Sequence, residues 1–297
     1  MVLVYGAAGL LGQQICRRLR EEGKRVRALL ARSTSQTSLE ALKRLDVELF
    51  LADLNELPAV AAACSGEQAV ICADPAMMPC RNGPPLEASD IRCLIEFASA
   101  MCVHRFVYVT VPEQFSTPCA LVNARAEACA RLESHRMDYA ILETGFFMES
   151  WLSPELGFDC AQGKATVFGE GTQPVAWVSC DDVAELAVRS LSVDHRTKHR
   201  IRVAAGDNMS PIDLIRVFED FRGGQIEVTR VPETELRAEH KRAANPADRI
   251  RAAMKLEYAR GLRMRADSDH IPIALASVRD FARRVTGTQT ATAWRPA

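Results

Sequence analysis

What this chain of 297 residues lacks narrows its function before any motif is read. No uninterrupted apolar run approaches the roughly 20 residues of a membrane-spanning helix. The ten cysteines (Cys16, Cys64, Cys72, Cys80, Cys93, Cys102, Cys119, Cys129, Cys160 and Cys180) include no Cys-x-x-Cys pair, and no histidine stands at zinc spacing from them. A bound metal is therefore not expected, and the scattered thiols read as small buried hydrophobes of a reducing compartment, with redox sensing as the sharper alternative. The absence of a Gly-x-Ser-x-Gly elbow argues against a Ser/His/Asp hydrolase. A formal net charge of −1 gives no general attraction to nucleic acid or to an anionic membrane surface. The N-terminus enters an apolar run without the charged leader and cleavage site of a signal peptide, so a soluble cytoplasmic protein is the expectation. There is no internal repeat and no low-complexity tract.

What is present starts at residue 2. Val2 to Tyr5 is apolar, Gly6-Ala7-Ala8-Gly9-Leu10-Leu11-Gly12 follows, and a helix-like stretch runs to Gly23. Strand, glycine turn and helix in that order suit a dinucleotide pyrophosphate. Gly6 permits the tight turn, Gly9 lets the backbone approach the phosphates, and Gly12 lets the helix lie close to the strand. The helix N-terminus then offers free N–H groups and partial positive charge to the anion. Ala8, Leu10 and Leu11 supply the rest of that backbone.

Strands and helices alternate through the N-terminal half, which predicts an α/β fold: a Rossmann-type doubly wound parallel sheet over residues 1–150, a small α+β lobe over 151–287 interleaved with it, and a frayed tail over 288–297. The second strand, Arg25 to Leu30, ends in Ala31-Arg32-Ser33-Thr34-Ser35, with one arginine and no acid. In dinucleotide folds an acid here accepts from a ribose 2′-hydroxyl and an arginine accommodates a 2′-phosphate. NADP(H) is therefore favoured over NAD(H), unless Arg32 is only a solvated loop charge. After the third strand, Val47 to Leu51, Asp53 either accepts from the adenine amino group or caps the next helix, with Leu54 beside it. Ala73 ends the fourth strand, Ala69 to Ala73. The Pro-, Met- and Gly-rich stretch Asp74 to Pro85 could then cover a cofactor or form a substrate wall. Thr110, at the end of the fifth strand, is placed near the nicotinamide.

These pieces resemble the NmrA-like group of atypical short-chain dehydrogenases/reductases. The resemblance is carried by Gly6 to Gly12, Ala28-Leu29-Leu30 with Arg32, Ala52-Asp53-Leu54, the strand Tyr139-Ala140-Ile141-Leu142 leading into Gly145-Phe146-Phe147-Met148-Glu149, and Trp177-Val178-Ser179-Cys180-Asp181-Asp182-Val183-Ala184. It covers residues 1 to about 190. It implies either an NADPH-dependent reductase or a regulator that binds the cofactor and performs no chemistry. By the same resemblance, Phe147 faces the cofactor ring.

Two positions depart from the pattern. The Tyr-x-x-x-Lys pair of ordinary short-chain dehydrogenases is absent: Tyr108 is followed four residues on by Pro112 and Tyr139 by Glu143. The lysine that isoflavone-type reductases carry in the helix before the Tyr139 strand corresponds to Arg125. An arginine stays protonated, so it can anchor a substrate or cofactor group but cannot exchange its proton. Glu143 stands where many relatives have an arginine. None of the six histidines (His104, His135, His195, His199, His240, His270) falls where a catalytic base is expected. Hydride transfer to a quinone-like, conjugated or natural-product acceptor needs no dedicated protein acid, because solvent can protonate the developing anion.

Phe146, Met148 and Trp151 follow a strand end and form the expected substrate wall, with core packing against the C-terminal lobe as the competing reading. In the lobe, strands are expected at Lys164 to Phe168, Pro174 to Val178, Ile201 to Ala204 and Gln225 to Val231. Helices are expected from Asp181 or Asp182 to Leu191, from Ser210-Pro211 to Phe221 and from Pro272 to Val285. Arg237 to Arg265 holds nine Lys or Arg against three Asp or Glu. That excess reads as the polar face of two surface helices, or as a rim for an anionic substrate or an acidic partner. Trp294 in the tail could dock on a second subunit of a homodimer. Three functions follow: a reductase of a small-molecule substrate, a regulatory NADP(H)-binding protein that signals to a partner protein, or an isomerase or dehydratase using its cofactor transiently.

Overall fold

Apolar runs separated by glycine and serine punctuation become a strand–helix alternation in the computed structural model, which describes residues 1–73, 88–192, 199–203, 207–265 and 273–287. The first half comprises β1 (Val2–Tyr5), α1 (Leu10–Glu21), β2 (Val26–Leu30), α2 (Gln36–Arg44), β3 (Glu48–Leu51), α3 (Leu57–Cys64), β4 (Ala69–Ala73), α4 (Ala88–Ala100), β5 (Arg105–Thr110), α5 (Ala120–Ser134) and β6 (Asp138–Thr144). Then come β7 (Phe146–Phe147), α6 (Met148–Trp151), β8 (Phe158–Asp159), β9 (Lys164–Phe168), β10 (Val175–Val178) and α7 (Cys180–Arg189). β11 (His199–Val203), β12 (Asn208–Met209), α8 (Pro211–Arg222), β13 (Glu227–Val231), α9 (Glu233–Arg242), α10 (Pro246–Arg260) and α11 (Val278–Gly287) complete the chain.

The main sheet has seven strands in the order β11-β6-β5-β4-β1-β2-β3, and its pairings are all parallel. Strand order reverses between β1 and β4, the switch point beside which doubly wound sheets bind ligands. Strands β4 and β5 are buried along their whole length, which is why β4 and the Phe106 to Val109 centre of β5 read as apolar runs. Val2 and Val4 feed the hydrophobic cluster on one face, while Leu3 feeds the cluster on the other. Helix α1 buries Leu11, Ile15, Cys16 and Leu19 along one stripe. It stops where Gly23, at φ 72°, lets Lys24 N–H reach the Leu19 carbonyl at 2.9 Å and Gly23 N–H reach that of Arg20 at 2.9 Å.

Two small sheets flank this frame. β10 pairs with β7 in parallel and with β12 antiparallel, while β9 pairs with β13 in parallel and with β8 antiparallel. The expected boundary near residue 150 needs one correction, because β11 lies in the main sheet beside β6 and not in the lobe. Helix α11 likewise starts at Val278 and not at Pro272. Ser277 fixes that start, its hydroxyl accepting from Asp280 N–H at 3.0 Å while its own N–H and O–H donate to the Asp280 carboxylate. Asp74 to Pro85, Cys80, His195, His270 and Trp294 lie outside the described residues.

Candidate functional site

The glycine turn sits at the switch point, and its glycines have different reasons to be there. Gly6 has φ 82°, and a Cβ on it would lie 1.9 Å from the Ala73 carbonyl oxygen, so the turn is packed against the end of β4. A Cβ on Gly12 would lie 2.1 Å from the Gly6 carbonyl oxygen, so helix and turn touch through backbone. Gly9 differs. A Cβ there would meet the Gly6 carbonyl oxygen at 3.4 Å and nothing else within 4 Å among the described residues, which leave the space in front of Gly9 open. Gly9 caps α1 without a side chain, and no acid stands in the helix's first turn. Gln13 Nε2 ties the turn down by donating to the Ala8 carbonyl at 3.0 Å. Leu11 is buried, whereas Ala8 and Leu10 are half-buried. The result is a rigid backbone concavity facing the positive end of a helix, which fits a pyrophosphate.

At the tips of β2 and β3 Arg32 and Asp53 are joined by Glu56, which no motif in the sequence marks. The Arg32 guanidinium forks onto the Glu56 carboxylate, Nε and Nη2 each donating at 2.7 Å. Arg32 N–H donates to Asp53 Oδ1 at 3.1 Å, and Asp53 N–H to Glu56 Oε1 at 3.3 Å. Asp53 therefore braces this rim, and its side chain does not cap α3, whose N-cap is Glu56. Arg32, and next the Asp53 N–H, pull the Glu56 carboxyl down to about 2. The pair remains open to solvent, with the Arg32 side chain 59% exposed. Two acids around one arginine leave the rim less cationic than the sequence suggested. Glu56 could have been found from the adjacency of the β2 and β3 ends.

Arg125 and Glu143, the two departures from the family pattern, meet each other. Arg125 on α5 and Glu143 on β6 are both buried, and Arg125 Nη2 donates to Glu143 Oε1 at 3.0 Å. Thr110, buried at the end of β5, is the register partner of Glu143. Its hydroxyl has no hydrogen-bond partner among the described residues, nor does that of Thr144. These buried polar groups at the carboxyl edge of β5 and β6 include a charge pair.

Phe146, Met148 and Trp151, the expected substrate wall, and Phe147, expected to face the cofactor ring, have 1%, 0%, 4% and 1% of their surface exposed and pack into the main hydrophobic cluster, as in the competing reading of core packing. The Phe146 ring contacts Phe115, Trp151, Trp177 and Tyr258, and Trp151 stacks on Tyr258 with centroids 5.1 Å apart. These side chains join sheet to lobe because burying several rings together removes more apolar surface from water than lining a wet wall would. The cavity beside Trp151, Phe168 and Tyr258 is about 10 Å³, room for one water at most.

The two most specific family segments also serve the fold. A Cβ on Gly145 would strike the Ala176 carbonyl oxygen at 2.2 Å, so β6 turns into β7 against bare backbone. Glu149 accepts from Ser179 Oγ and from Cys180 N–H, each at 2.9 Å, at the start of α7. Asp182 accepts from Ala276 N–H at 2.8 Å, and burial, ahead of its other influences, pushes its carboxyl up to about 6. Seven of the nine described cysteines are buried, and desolvation raises Cys16 and Cys64 to about 12, far from thiolate chemistry. No group of three or more potential metal ligands occurs among the described residues.

An open cleft of about 350 Å³ does exist, lined by Gln114, Asn208, Arg263, Met264 and Arg265. It adjoins the loop between β5 and α5, which Glu257 of α10 holds in place. Glu257 Oε1 accepts from Thr117 N–H at 2.7 Å, Ser116 N–H at 3.2 Å and the Thr117 hydroxyl.

Comparison with known proteins adds three findings. The model of the NmrA-like family matches residues 1–254. Among curated proteins, the chain is 27% identical over 237 residues to "Photosystem II assembly factor Ycf39" of Guillardia theta, covering 78% of this chain and 73% of that one. It is 26% identical over 258 residues to "Probable pinoresinol-lariciresinol reductase 3" of Arabidopsis thaliana, covering 82% and 81%. Among solved structures, the NADPH-dependent quinone oxidoreductase QOR2 of Escherichia coli, complexed with NADPH, superposes with a TM-score of 0.75 at 18% identity, covering 96% of this chain and 99% of that one.

Proposed function

Because the chain belongs to the NmrA-like family, we propose that it is an NADPH-dependent reductase of a quinone-like, conjugated or natural-product small molecule. The observation that carries this is the glycine turn, where Gly6 and Gly12 are closed against backbone while, among the described residues, Gly9 faces open space at the N-terminus of α1. In this reading Gly9 N–H closes the turn onto the Gly6 carbonyl at 3.1 Å, and the backbone N–H groups of Leu10 and Leu11 receive the pyrophosphate. Arg32 turns part of its fork from Glu56 to the 2′-phosphate, a change its exposure permits. Asp53 and Leu54 border the adenine, and Ala73 and Thr110 border the path to the nicotinamide. Bound NADPH supplies a hydride. The chain's part is to hold the acceptor near, exclude water and anchor its polar group, with the Thr110 hydroxyl and the Arg125 guanidinium as buried donors. Solvent supplies the proton. The named relatives that are reductases support the same reading.

The buried Arg125 to Glu143 pair favours a second reading, an NADP(H)-binding protein that performs no chemistry and acts through a protein partner. The likeness to a protein named as an assembly factor agrees with it. Calorimetric titration with NADPH and NADH tests what the two readings share. Binding of NADPH that Gly9→Val abolishes in a folded protein is expected, and unchanged affinity in that variant would remove the pyrophosphate assignment.

A further inference from the structure

The basic excess of Arg237 to Arg265 resolves into two kinds of arginine. On α9 and α10 the arginines and Lys255 are used locally, while Lys241 has no ion pair or hydrogen bond among the described residues. Arg237 pairs with Glu233, Arg251 with Asp248 and Lys255 with Glu239, each at 2.7 Å, while Arg260 lies 3.4 Å from both Glu233 and Glu257. Arg242 and Arg249 each donate to a backbone carbonyl at 3.2 Å. Arg263 and Arg265 have no ion pair or hydrogen bond among the described residues, and both line the 350 Å³ cleft.

Their backbone is fixed. Leu262 N–H donates to the Pro174 carbonyl at 2.9 Å, and the Asn208 side chain both accepts from Met264 N–H and donates to the Met264 carbonyl, each at 2.8 Å. Leu262 and Met264 are buried while Arg263 and Arg265 are exposed, the alternation of an extended segment. Two residues apart on such a segment, the guanidinium groups share one face with Cα atoms about 7 Å apart. Across the cleft, Gln114 offers an amide on the loop pinned by Glu257, just beyond the carboxyl end of β5, the edge at which doubly wound sheets bind ligands. A cleft of this size suits a small organic molecule.

From these positions we infer that the Gln114, Asn208, Arg263 and Arg265 cleft binds the anionic group of the substrate, so that the acceptor carries a carboxylate or an equivalent anion. Arginine forks bind carboxylates in two-point fashion, and no protein acid in the described residues already neutralises these two. The inference rests on the proposed reductase function for the word substrate, but binding of the anion can be read without turnover.

The test uses anthraquinone-2-carboxylate and 2-methylanthraquinone, which share a ring system and differ in charge. Binding of each is measured by calorimetry to the full-length protein and to the double variant Arg263→Ala, Arg265→Ala, and oxidation of NADPH by each is then followed. The wild type is expected to bind the carboxylate about tenfold or more tightly than the neutral compound, the equivalent of one charge-assisted hydrogen bond. The double variant should lose that preference while keeping its affinity for the neutral ring, which also shows that it is folded. Equal affinity of the wild type for both compounds, or a preference that survives the double substitution, would overturn the assignment. Turnover of both compounds without discrimination would leave the reductase reading standing and sink this one. Arginine-dependent binding without NADPH oxidation would keep the anion site and count against the reductase.

Discussion

At the scale of single residues the account turns on Gly9 and on the Arg32, Asp53 and Glu56 triangle. Valine at Gly9 would fill the side of the turn that the described residues leave open, so the fold should survive and NADPH affinity should not. The triangle makes a finer prediction. Arg32→Ala should weaken NADPH more than NADH, by about 1 to 3 kcal/mol for a lost charged hydrogen bond. Glu56→Ala should do the reverse, releasing the guanidinium and raising preference for NADPH over NADH. Titration of both cofactors into both variants checks this, and equal changes for NADPH and NADH would mean that the rim does not touch the 2′ position. The residues that could be read from sequence here were those whose neighbours are set by chain order: the glycines and the arginine after β2. Glu56 was hidden because its partner is 24 residues away, across the β2 to β3 pairing. Arg125 and Glu143 could each be marked as unusual, yet only the packing of α5 on β6 showed that each compensates the other.

Elements were most legible where periodicity and punctuation agreed. Strand β4 and strand β9 fall where the sequence places them, and Ser210 with Pro211 starts α8 as expected, its hydroxyl accepting from Asp213 N–H at 3.2 Å. The sequence of β11 does not reveal which sheet it joins, and apolar spacing continues before Ser277 although α11 starts only at Val278. Two contacts between elements carry predictions. Glu257→Ala removes the common acceptor of Ser116 and Thr117, leaving the buried Thr117 N–H and hydroxyl unpaired, and should cost about 2 kcal/mol in urea unfolding. A cost near zero would mean that the loop beside the cleft is not held from α10. Asp182, with its carboxyl at about 6 against an ordinary 3.8, binds a proton more readily folded than unfolded. Its contribution is therefore fully present below about pH 3.8 and is lost as pH rises through 6. Asp182→Asn should accordingly gain stability relative to wild type between pH 5 and pH 8; an unchanged difference at the two pH values would argue against it.

The whole molecule is a sheet and a lobe joined by an aromatic core, and this is where the sequence was least informative. A dense run of aromatic residues after a strand end suits a binding wall and a core equally well until burial is known. Phe146 at 1% exposure belongs to the core, so Phe146→Ala should cost about 3 to 5 kcal/mol in denaturant unfolding. A loss below 1 kcal/mol would return it to the rim of a site. With those rings buried, Arg263 and Arg265 still line an open cleft. The central claim, that this arrangement transfers a hydride and does not merely hold a cofactor, is tested most directly in one cuvette. Protein and NADPH are mixed, and absorbance at the reduced-nicotinamide band is followed as a panel of quinones and conjugated carbonyls, anionic and neutral, is added. The account predicts oxidation that depends on both protein and acceptor. Tight NADPH binding with no oxidation by any member of the panel would contradict it and favour the regulatory reading.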